Sequence, residues 1–493
     1  MTGPIVQTAS GQIEGLIEHG VRRWLGVPYA RAERFAPPLP VAPWPDVRPA
    51  TVYAAQCPQQ LGGKVRPEVL DSDDYCEDCL SLNVWVPNAA CTSPRPVLVW
   101  IHGGAFLAGS TNPYDGAALA REGGIVVVTI AYRLGVLGWV NFGEALGLPM
   151  IPSNLGLRDQ IAALEWVRDN IAAFGGDPGR VTLGGQSAGS LAVSLLMLCR
   201  RAWPLFHGAL LQSGAQSLIH ERDRSLEDAR AFARELDLDQ GALERLTTMP
   251  VSELLAAQAA IGKAMASGIP AAPWFDGDLL PASLDAAMRA PLAPVPVMAG
   301  ATAEEIRLFD LLPGHILPSR WDELETLLRL QLPGEQAARI VAAYPRTKQG
   351  RRALASDLSF AMPTRNFAER QATQNAESRQ ARVWYYRFDY SHPIAGPTHG
   401  LDLLLFWPFA GFKMAFFRGG ANRGKRKALG ERMRIDVARF VAEGDPGGGW
   451  PEYTVPTRAV KVYDLADRIE HNPDAVRFAA WGGHDVSPGK ARG

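Results

Sequence analysis

The segment Gly185-Gln186-Ser187-Ala188-Gly189 places a serine between two glycines, and its residue types and spacing could do chemistry. The apolar pattern predicts a short strand over residues 181–183 and a helix over residues 190–199. In such a strand-turn-helix bend the serine lies at the tip, and the glycines avoid a clash between strand and helix. The free N–H groups at the start of the helix would point at the serine. The pattern therefore predicts a nucleophile at Ser187, with a tight turn of no catalytic role as the alternative.

A serine hydroxyl attacks only when a neighbouring base takes its proton, and a carboxylate must orient that base. Among the nine histidines, His399 lies in a loop shortly after the apolar run that ends at Phe388. A loop at the end of a sheet strand is where such a base must lie. The acid is expected between serine and histidine along the chain. Glu304 and Glu305 follow the predicted strand that ends at Ala299, and either could serve, with a solvated acidic turn as the alternative.

A second turn of small residues, His102-Gly103-Gly104-Ala105-Phe106, follows another apolar run. Small residues allow backbone N–H groups to approach an oxyanion closely. Together with the N–H of Ala188, those of Gly104 and Ala105 would give three donors. The chain thus contains the groups that acyl transfer through a serine requires.

Buried strands and helices must position these groups. A run of helical spacing over residues 159–174 lies between apolar runs that are typical of strands buried on both faces. Their alternation predicts an α/β fold with a mostly parallel central sheet and helices on both faces. We expect one domain over residues 1–493, with helical insertions over the active-site end at roughly 220–290 and 306–365. The main predicted strands are residues 82–86, 96–101, 125–130, 208–213, 295–300 and 382–388.

The composition excludes several classes of partner. The chain has 493 residues, a formal net charge of −1 and 47% hydrophobic residues, as is ordinary for a globular protein with a large core. This charge gives no reason to expect nucleic acid or an anionic membrane as a partner, and no apolar stretch is long enough to span a bilayer. The N-terminal residues lack the pattern of a signal peptide. We therefore expect a cytoplasmic monomer or homodimer that acts on a small molecule.

Metals and organic cofactors are not expected. The five cysteines are too few and odd in number for a disulfide scaffold. Cys76 and Cys79 have the spacing of a redox or zinc motif, but no second pair and no nearby histidine completes a metal set. Ordinary thiols are the prediction.

Taken together, these motifs resemble those of the carboxylesterase type B family, the branch of the α/β-hydrolases that includes cholinesterases and bacterial p-nitrobenzyl esterases. The similarity runs nearly from end to end. It implies the α/β-hydrolase fold and hydrolysis of carboxylic esters through an acyl-enzyme. The matching blocks are GVPYA at 26–30, EDCLSLNV at 77–84, WIHGG at 100–104, YRLG at 132–135, NLGLRDQ at 154–160 and FGGDP at 174–178.

The resemblance also implies a role for each site residue. Ser187 would be the nucleophile, Glu305 the acid, and His399 the base. The oxyanion donors would be the N–H groups of Gly104, Ala105 and Ala188, whose loop is similar to the HGGG-type loop of esterases. Ser213 matches a buried serine that supports the acid in relatives, and Cys57 and Cys79 match a pair that forms a disulfide in secreted members. We expect these two thiols to be reduced in a cytoplasmic protein.

Three departures from the family pattern bear on the site. Gln186 stands where the family usually has Glu, Ile306 stands where it usually has Gly after the acid, and the loop between Tyr29 and Arg34 is short. Because Gln186 carries no charge, small to medium and mainly neutral esters are the expected substrates. Carbamates, amides and thioesters are the alternative within the same chemistry, and a non-catalytic adhesion protein is the alternative of another class. The aromatic segment 406–417 would form either an apolar pocket or a packed lid.

Overall fold

The computed structural model describes residues 3–60, 74–238, 241–265, 269–310, 317–374, 376, 381–407 and 422–486. Its strands are β1 (Ile5–Thr8), β2 (Gly11–Glu14), β3 (Leu16–Glu18), β4 (Val21–Pro28), β5 (Arg48–Pro49), β6 (Ser81–Pro87), β7 (Arg95–Ile101), β8 (Val126–Ile130), β9 (Gly176–Gln186), β10 (Gly208–Gln212), β11 (Val297–Thr302), β12 (Val383–Phe388), β13 (Ala459–Tyr463) and β14 (Arg468–His471). The strands expected from apolar runs are present, within a few residues of their predicted ends.

The central sheet has eleven strands in the order β14-β13-β12-β11-β10-β9-β7-β8-β6-β4-β3, and β1, β2 and β5 form a small separate sheet. In the segment β13-β12-β11-β10-β9-β7-β8 of this order, each strand is parallel to its neighbours. The margins β3-β4-β6-β8 and β13-β14 are antiparallel. The prediction of a mostly parallel sheet is confirmed, and the antiparallel margins are additions to it.

Helices cover the sheet and follow its strands. The described α-helices are α1 (Ala117–Gly123), α2 (Gly135–Trp139), α3 (Phe142–Ala145), α4 (Leu155–Asn170), α5 (Ala188–Leu198), α6 (Arg222–Glu235), α7 (Ala242–Thr248), α8 (Val251–Ala264), α9 (Leu284–Arg289), α10 (Trp321–Gln331), α11 (Gly334–Ala342), α12 (Lys348–Ser356), α13 (Met362–Gln374), α14 (Leu401–Phe406), α15 (Arg423–Glu443) and α16 (Ala475–Trp481). The described residues of 220–290 include α6 to α9, and those of 306–365 include α10 to α12 and the start of α13. One domain with helical insertions over the active-site end stays a prediction.

Strand β7 divides the core into two halves because its side chains alternate between the faces of the sheet. Val97, Val99 and Ile101 belong to one apolar cluster, which includes residues of α4 and α5. Leu98 and Trp100 belong to the other, which includes residues of α1 and α15. Helices therefore pack on both faces, and the strand is apolar from Val97 to Ile101 because neither face meets water there.

Candidate active site

Ser187 lies at the predicted bend, between the last residue of β9 and the first residue of α5. Its backbone has φ 58° and ψ −125°, a conformation that costs an L-residue energy and is found mostly at functional sites. A methyl group at Gly185 would lie 2.3 Å from the carbonyl carbon of Gly189, and one at Gly189 would lie 2.0 Å from the oxygen of Ile101. Both glycines are therefore required for the strand and the helix to approach each other at this bend.

His399 and Glu305 form a buried pair. The Nδ1 atom of His399 lies 2.6 Å from Oε2 of Glu305, and the two side chains are 7% and 0% exposed. The other carboxylate oxygen of Glu305 accepts a hydrogen bond of 2.6 Å from the N–H of Thr302. Because a carboxylate only accepts, Nδ1 carries the proton and Nε2 of the neutral ring is an acceptor.

Two neighbouring loops bring this pair together. β11 and β12 are parallel neighbours, so the loops that follow them leave the same edge of the sheet. The N–H of Glu304 donates to the carbonyl oxygen of Pro397 at 2.9 Å, and that of Ala303 donates to the oxygen of Phe388 at 3.0 Å. These backbone bonds fasten the turn that carries Glu305 to the loop that carries His399.

The neighbouring acids point elsewhere. Glu304 is partly exposed and pairs with Arg307, with 3.1 Å between Oε2 and Nη1. Asp310, another acid in this region, accepts from Arg351 and Arg352 at 2.8 Å. Of these acids in the described turn, Glu305 is the one that contacts His399.

The residue that replaces the usual glycine does not distort this turn. Ile306 is fully buried, within a short 3-10 helix over Glu305–Arg307. Its N–H donates to Oγ of Ser356 at 3.0 Å. The apolar side chain thus anchors the turn in the core and leaves Glu305 directed at His399.

Nε2 of His399 faces Gln186 in this structure. The two Nε2 atoms are 3.1 Å apart, and Gln186 is 4% exposed. Since the ring nitrogen is an acceptor, the amide of Gln186 donates to it. Within the described residues, Oγ of Ser187 has no hydrogen-bonding partner, and the side chain of Ser187 is partly exposed. Ser187 and His399 are neighbours through Gln186, while the direct serine–histidine hydrogen bond is not formed.

The loop after β7 has the open backbone expected of an oxyanion site. Gly104 has φ 118°, Ala105 φ 56° and Phe106 φ 60°, and a methyl group at Gly104 would lie 2.0 Å from the oxygen of Ala108. The backbone N–H groups of Gly104, Ala105 and Ala188 donate to no acceptor in the described part of the chain. Free backbone donors near a nucleophile are the feature that stabilises an oxyanion.

Ser213 does not make the contact that the resemblance implied. Its N–H donates to the oxygen of Gly300 at 2.8 Å, and its Oγ is buried without a hydrogen-bond partner among the described residues. Ser213 is buried, but it makes no direct hydrogen bond to Glu305 among the described residues, and its supporting role stays a prediction.

Sequence reasoning missed the groups that surround the imidazole. The ring of Phe360, from a π-helical turn over Asp357–Ala361, lies 4.5 Å from the ring of His399, and that of Phe309 lies 5.3 Å away. Asp402 is fully buried three residues after His399, and burial together with the charge of Glu305 raises its pKa to about 6. No local pattern indicates Phe360, whereas the spacing of Asp402 from His399 was a signal available in the sequence.

Cysteines and aromatic residues near the site have structural surroundings. Cys57 and Cys79 are buried free thiols, and their mutual hydrogen bond and burial raise the pKa of Cys79. The described residues hold no group of three or more metal-binding side chains. In the aromatic segment, Trp407 packs on Trp100 with ring centres 5.2 Å apart, which is core packing, and positions 408–417 of the predicted pocket or lid lie outside the described residues.

A family description named Carboxylesterase family matches residues 2–481 of the chain. The chain belongs to this family. Para-nitrobenzyl esterase of Bacillus subtilis is 34% identical to this carboxylesterase over 97% of the chain and 98% of its own length. Carboxylesterase 4A of Bos taurus is 31% identical over 97% of the chain and 94% of its own length.

Solved structures agree with these relatives. A PNB esterase structure superposes with a TM-score of 0.84 at 32% identity, covering 97% of this chain and all of its own. The structure of a Geobacillus stearothermophilus carboxylesterase superposes with a TM-score of 0.83 at 33% identity, covering 97% of this chain and 99% of that chain. The protein is a serine carboxylic ester hydrolase with the α/β-hydrolase fold, and these relatives argue against the non-catalytic adhesion alternative. Within the described residues, no helix is both long and apolar enough for a membrane span.

Proposed function

We propose that this carboxylesterase hydrolyses small to medium, mainly neutral esters through an acyl-enzyme on Ser187, with His399 as the base and Glu305 as the acid. The observation that carries the proposal is the buried contact of 2.6 Å between Nδ1 of His399 and Oε2 of Glu305. It fixes the tautomer in which Nε2 can take a proton, on a ring that adjoins the strained turn of Ser187.

In the first step, Nε2 of His399 takes the proton of Ser187 while Oγ attacks the ester carbonyl carbon. The carbonyl oxygen becomes an oxyanion, to which the N–H groups of Gly104, Ala105 and Ala188 would donate. The C–O bond to the alcohol then breaks, and the leaving oxygen takes the proton from the imidazolium. Glu305 stabilises the imidazolium between these two transfers because its carboxylate holds the Nδ1 proton.

Water completes the reaction by the same route. His399 takes a proton from the water, and the hydroxyl oxygen attacks the acyl carbon on Ser187. Collapse of the second tetrahedral intermediate breaks the bond to Oγ, which recovers its proton from the imidazolium. The products are an alcohol and a carboxylic acid, and each step balances with the side chains of this chain and water alone.

The proposal is tested by Ser187→Ala. We expect the variant to fold, with an unchanged circular dichroism spectrum, and to lose nearly all turnover of p-nitrophenyl acetate, about 10³-fold or more, because only binding and the oxyanion donors remain. A fluorophosphonate should label the wild type and not the variant. Substantial residual turnover, or equal labelling, would show that Ser187 is not the nucleophile.

The preference for neutral esters rests on Gln186. A carboxylate at this position would attract a cationic substrate through a low-dielectric site, whereas an amide offers only a dipole. The carboxylate of Glu305 is paired with His399. We expect butyrylcholine and the uncharged ester 3,3-dimethylbutyl butyrate, which has nearly the same shape, to have similar kcat/KM. A kcat/KM more than tenfold higher for butyrylcholine would contradict the neutral preference without affecting the roles of Ser187 and His399.

A further inference from the structure

The acceptor nitrogen of His399 has a partner other than the nucleophile. Glu305 fixes the proton on Nδ1, and Nε2 lies 3.1 Å from the amide nitrogen of Gln186. Nε2 of a neutral imidazole has one lone pair. The hydrogen bond from Gln186 therefore uses the lone pair that must receive the proton of Ser187.

Gln186 has little freedom to move away. Its side chain is 4% exposed and lies between the glycines of two loops. A methyl group at Gly103 would be 3.3 Å from its Oε1, and one at Gly400 would be 3.8 Å from its Nε2. The amide is thus held beside the imidazole by the oxyanion loop on one side and by the loop of His399 on the other.

An amide and a carboxylate at this position would act on different forms of the base. The amide N–H stabilises the neutral imidazole, and its oxygen offers a neutral acceptor to the imidazolium if the amide turns. A carboxylate can only accept, so it stabilises the imidazolium alone, and more strongly because it is charged.

The other ionisable groups that face His399 are both acids. Glu305 contacts Nδ1 at 2.6 Å. Asp402, in the first turn of α14 and three residues after His399, is fully buried and interacts with the charge of His399. The rings of Phe309 and Phe360 cover the imidazole without charge. Among the described residues, Gln186 is therefore the neutral polar contact of the imidazole, in a site whose neighbouring ionisable groups are the acids Glu305 and Asp402.

We propose that Gln186 is a positioning residue that keeps His399 neutral and directed at the bend in the free enzyme, and that its amide turns in place to release Nε2 to Ser187 when an ester binds. The inference rests on the proposed function, because it assumes that His399 is the base. Its consequence is a carboxylesterase whose kcat/KM persists to lower pH than it would with an acid at position 186.

The test compares pH profiles of kcat/KM for wild type, Gln186→Glu, Gln186→Met and Gln7→Glu, with p-nitrophenyl acetate. Gln186→Glu should move the acid limb to higher pH by about one unit or more, which lowers activity about tenfold at pH values below the limb. Gln186→Met keeps the volume without the hydrogen bond and should lower kcat several-fold with little change in KM. Gln7→Glu makes the same charge change at an exposed position of strand β1 and should match the wild type.

The proposal is overturned if Gln186→Glu leaves the acid limb where the wild type has it, or if Gln186→Met matches the wild type in kcat. If Gln186→Glu does not fold because its carboxylate is buried, the kcat of Gln186→Met alone tests the proposal. Ser187→Ala and fluorophosphonate titration are measured in parallel. If Ser187→Ala is inactive while the variants at position 186 behave as wild type, only this inference fails. If Ser187→Ala is active, the proposed function fails with it.

Discussion

At the scale of single residues, the adjacent acids Glu304 and Glu305 differ because of the turn between them. Glu305 is fully buried against His399, and Glu304 lies at the surface beside Arg307. The position of these residues after a strand left both acids open, while the resemblance and the apolar residues that follow favoured Glu305. The structure separates them because neighbouring side chains leave the backbone in different directions, and the burial of Ile306 decides which acid faces inward.

We expect Glu305→Gln to lower kcat by about 10³- to 10⁴-fold with a smaller effect on KM, because an amide no longer holds the reactive tautomer. Glu304→Gln is the matched control, since it makes the same change one residue away and removes only a partly exposed ion pair. Steady-state kinetics with p-nitrophenyl acetate measures both. The opposite pattern would assign the acid to Glu304, and two active variants would mean that the acid lies elsewhere.

Other residues of the site were beyond sequence reasoning for a physical reason. Ser187, Gly185 and Gly189 follow a local pattern, because a sharp bend imposes residue types on consecutive positions. Phe360 and Gln186 meet His399 through contacts that span 39 and 213 positions of the chain. No periodicity in a single sequence encodes such a contact, so these roles required the fold.

At the scale of elements, the loop and helix that follow His399 carry a second buried acid. Asp402 accepts a hydrogen bond of 3.1 Å from the hydroxyl of Tyr386 and one of 2.8 Å from the N–H of Leu403. Burial and the nearby charge of Glu305 raise its pKa to about 6 from the ordinary 3.8. The contribution of Asp402 to the stability of the folded state is therefore complete below about pH 3.8 and is lost as the pH rises through about 6.

We expect Asp402→Asn to remove this pH dependence, because asparagine is neutral. Its Oδ1 can still accept from the N–H of Leu403, and its Nδ2 can donate to the hydroxyl oxygen of Tyr386 with the direction of that bond reversed. Relative to the wild type, the variant should gain up to ~3 kcal/mol of unfolding free energy between pH 4 and pH 7.5. Urea unfolding at the two pH values measures the difference. Asp285→Asn, at a carboxylate 80% exposed, is the control and should show almost none. If the difference in unfolding free energy between Asp402→Asn and the wild type is the same at both pH values, the raised pKa of Asp402 is contradicted.

At the scale of the whole molecule, the parallel centre of the sheet was predictable and its margins were not. β7, β8 and β10 are apolar runs because they are buried on both faces. β14, with the sequence RIEH, is mostly exposed and carries charged residues, as edge strands do when they avoid pairing with other chains. β14 pairs with β13 through its backbone and forms ion pairs such as Arg387 with Glu470, at 3.2 Å, and neither leaves an apolar pattern in the sequence.

The strained backbone of Ser187, with φ 58° and ψ −125°, bears on the stability of the entire fold. Glycine adopts this conformation at little cost, whereas a residue with a Cβ pays roughly 1–3 kcal/mol. The free energy of unfolding of Ser187→Gly should therefore exceed that of Ser187→Ala by about 1 kcal/mol after the greater chain entropy of glycine is subtracted. Ser187→Gly should accordingly unfold at a higher temperature. Differential scanning calorimetry of the two inactive proteins makes the comparison, and an equal or lower Tm for Ser187→Gly would contradict it.

If that order holds, a chain selected for thermal stability alone would replace its own nucleophile. Selection for stability and selection for hydrolysis then act in opposite directions on one codon. Lineages released from the need to hydrolyse esters should lose this serine early and gain heat resistance as they do so. Directed evolution for thermostability must accordingly include a screen for turnover in every round, or Ser187→Gly can be selected.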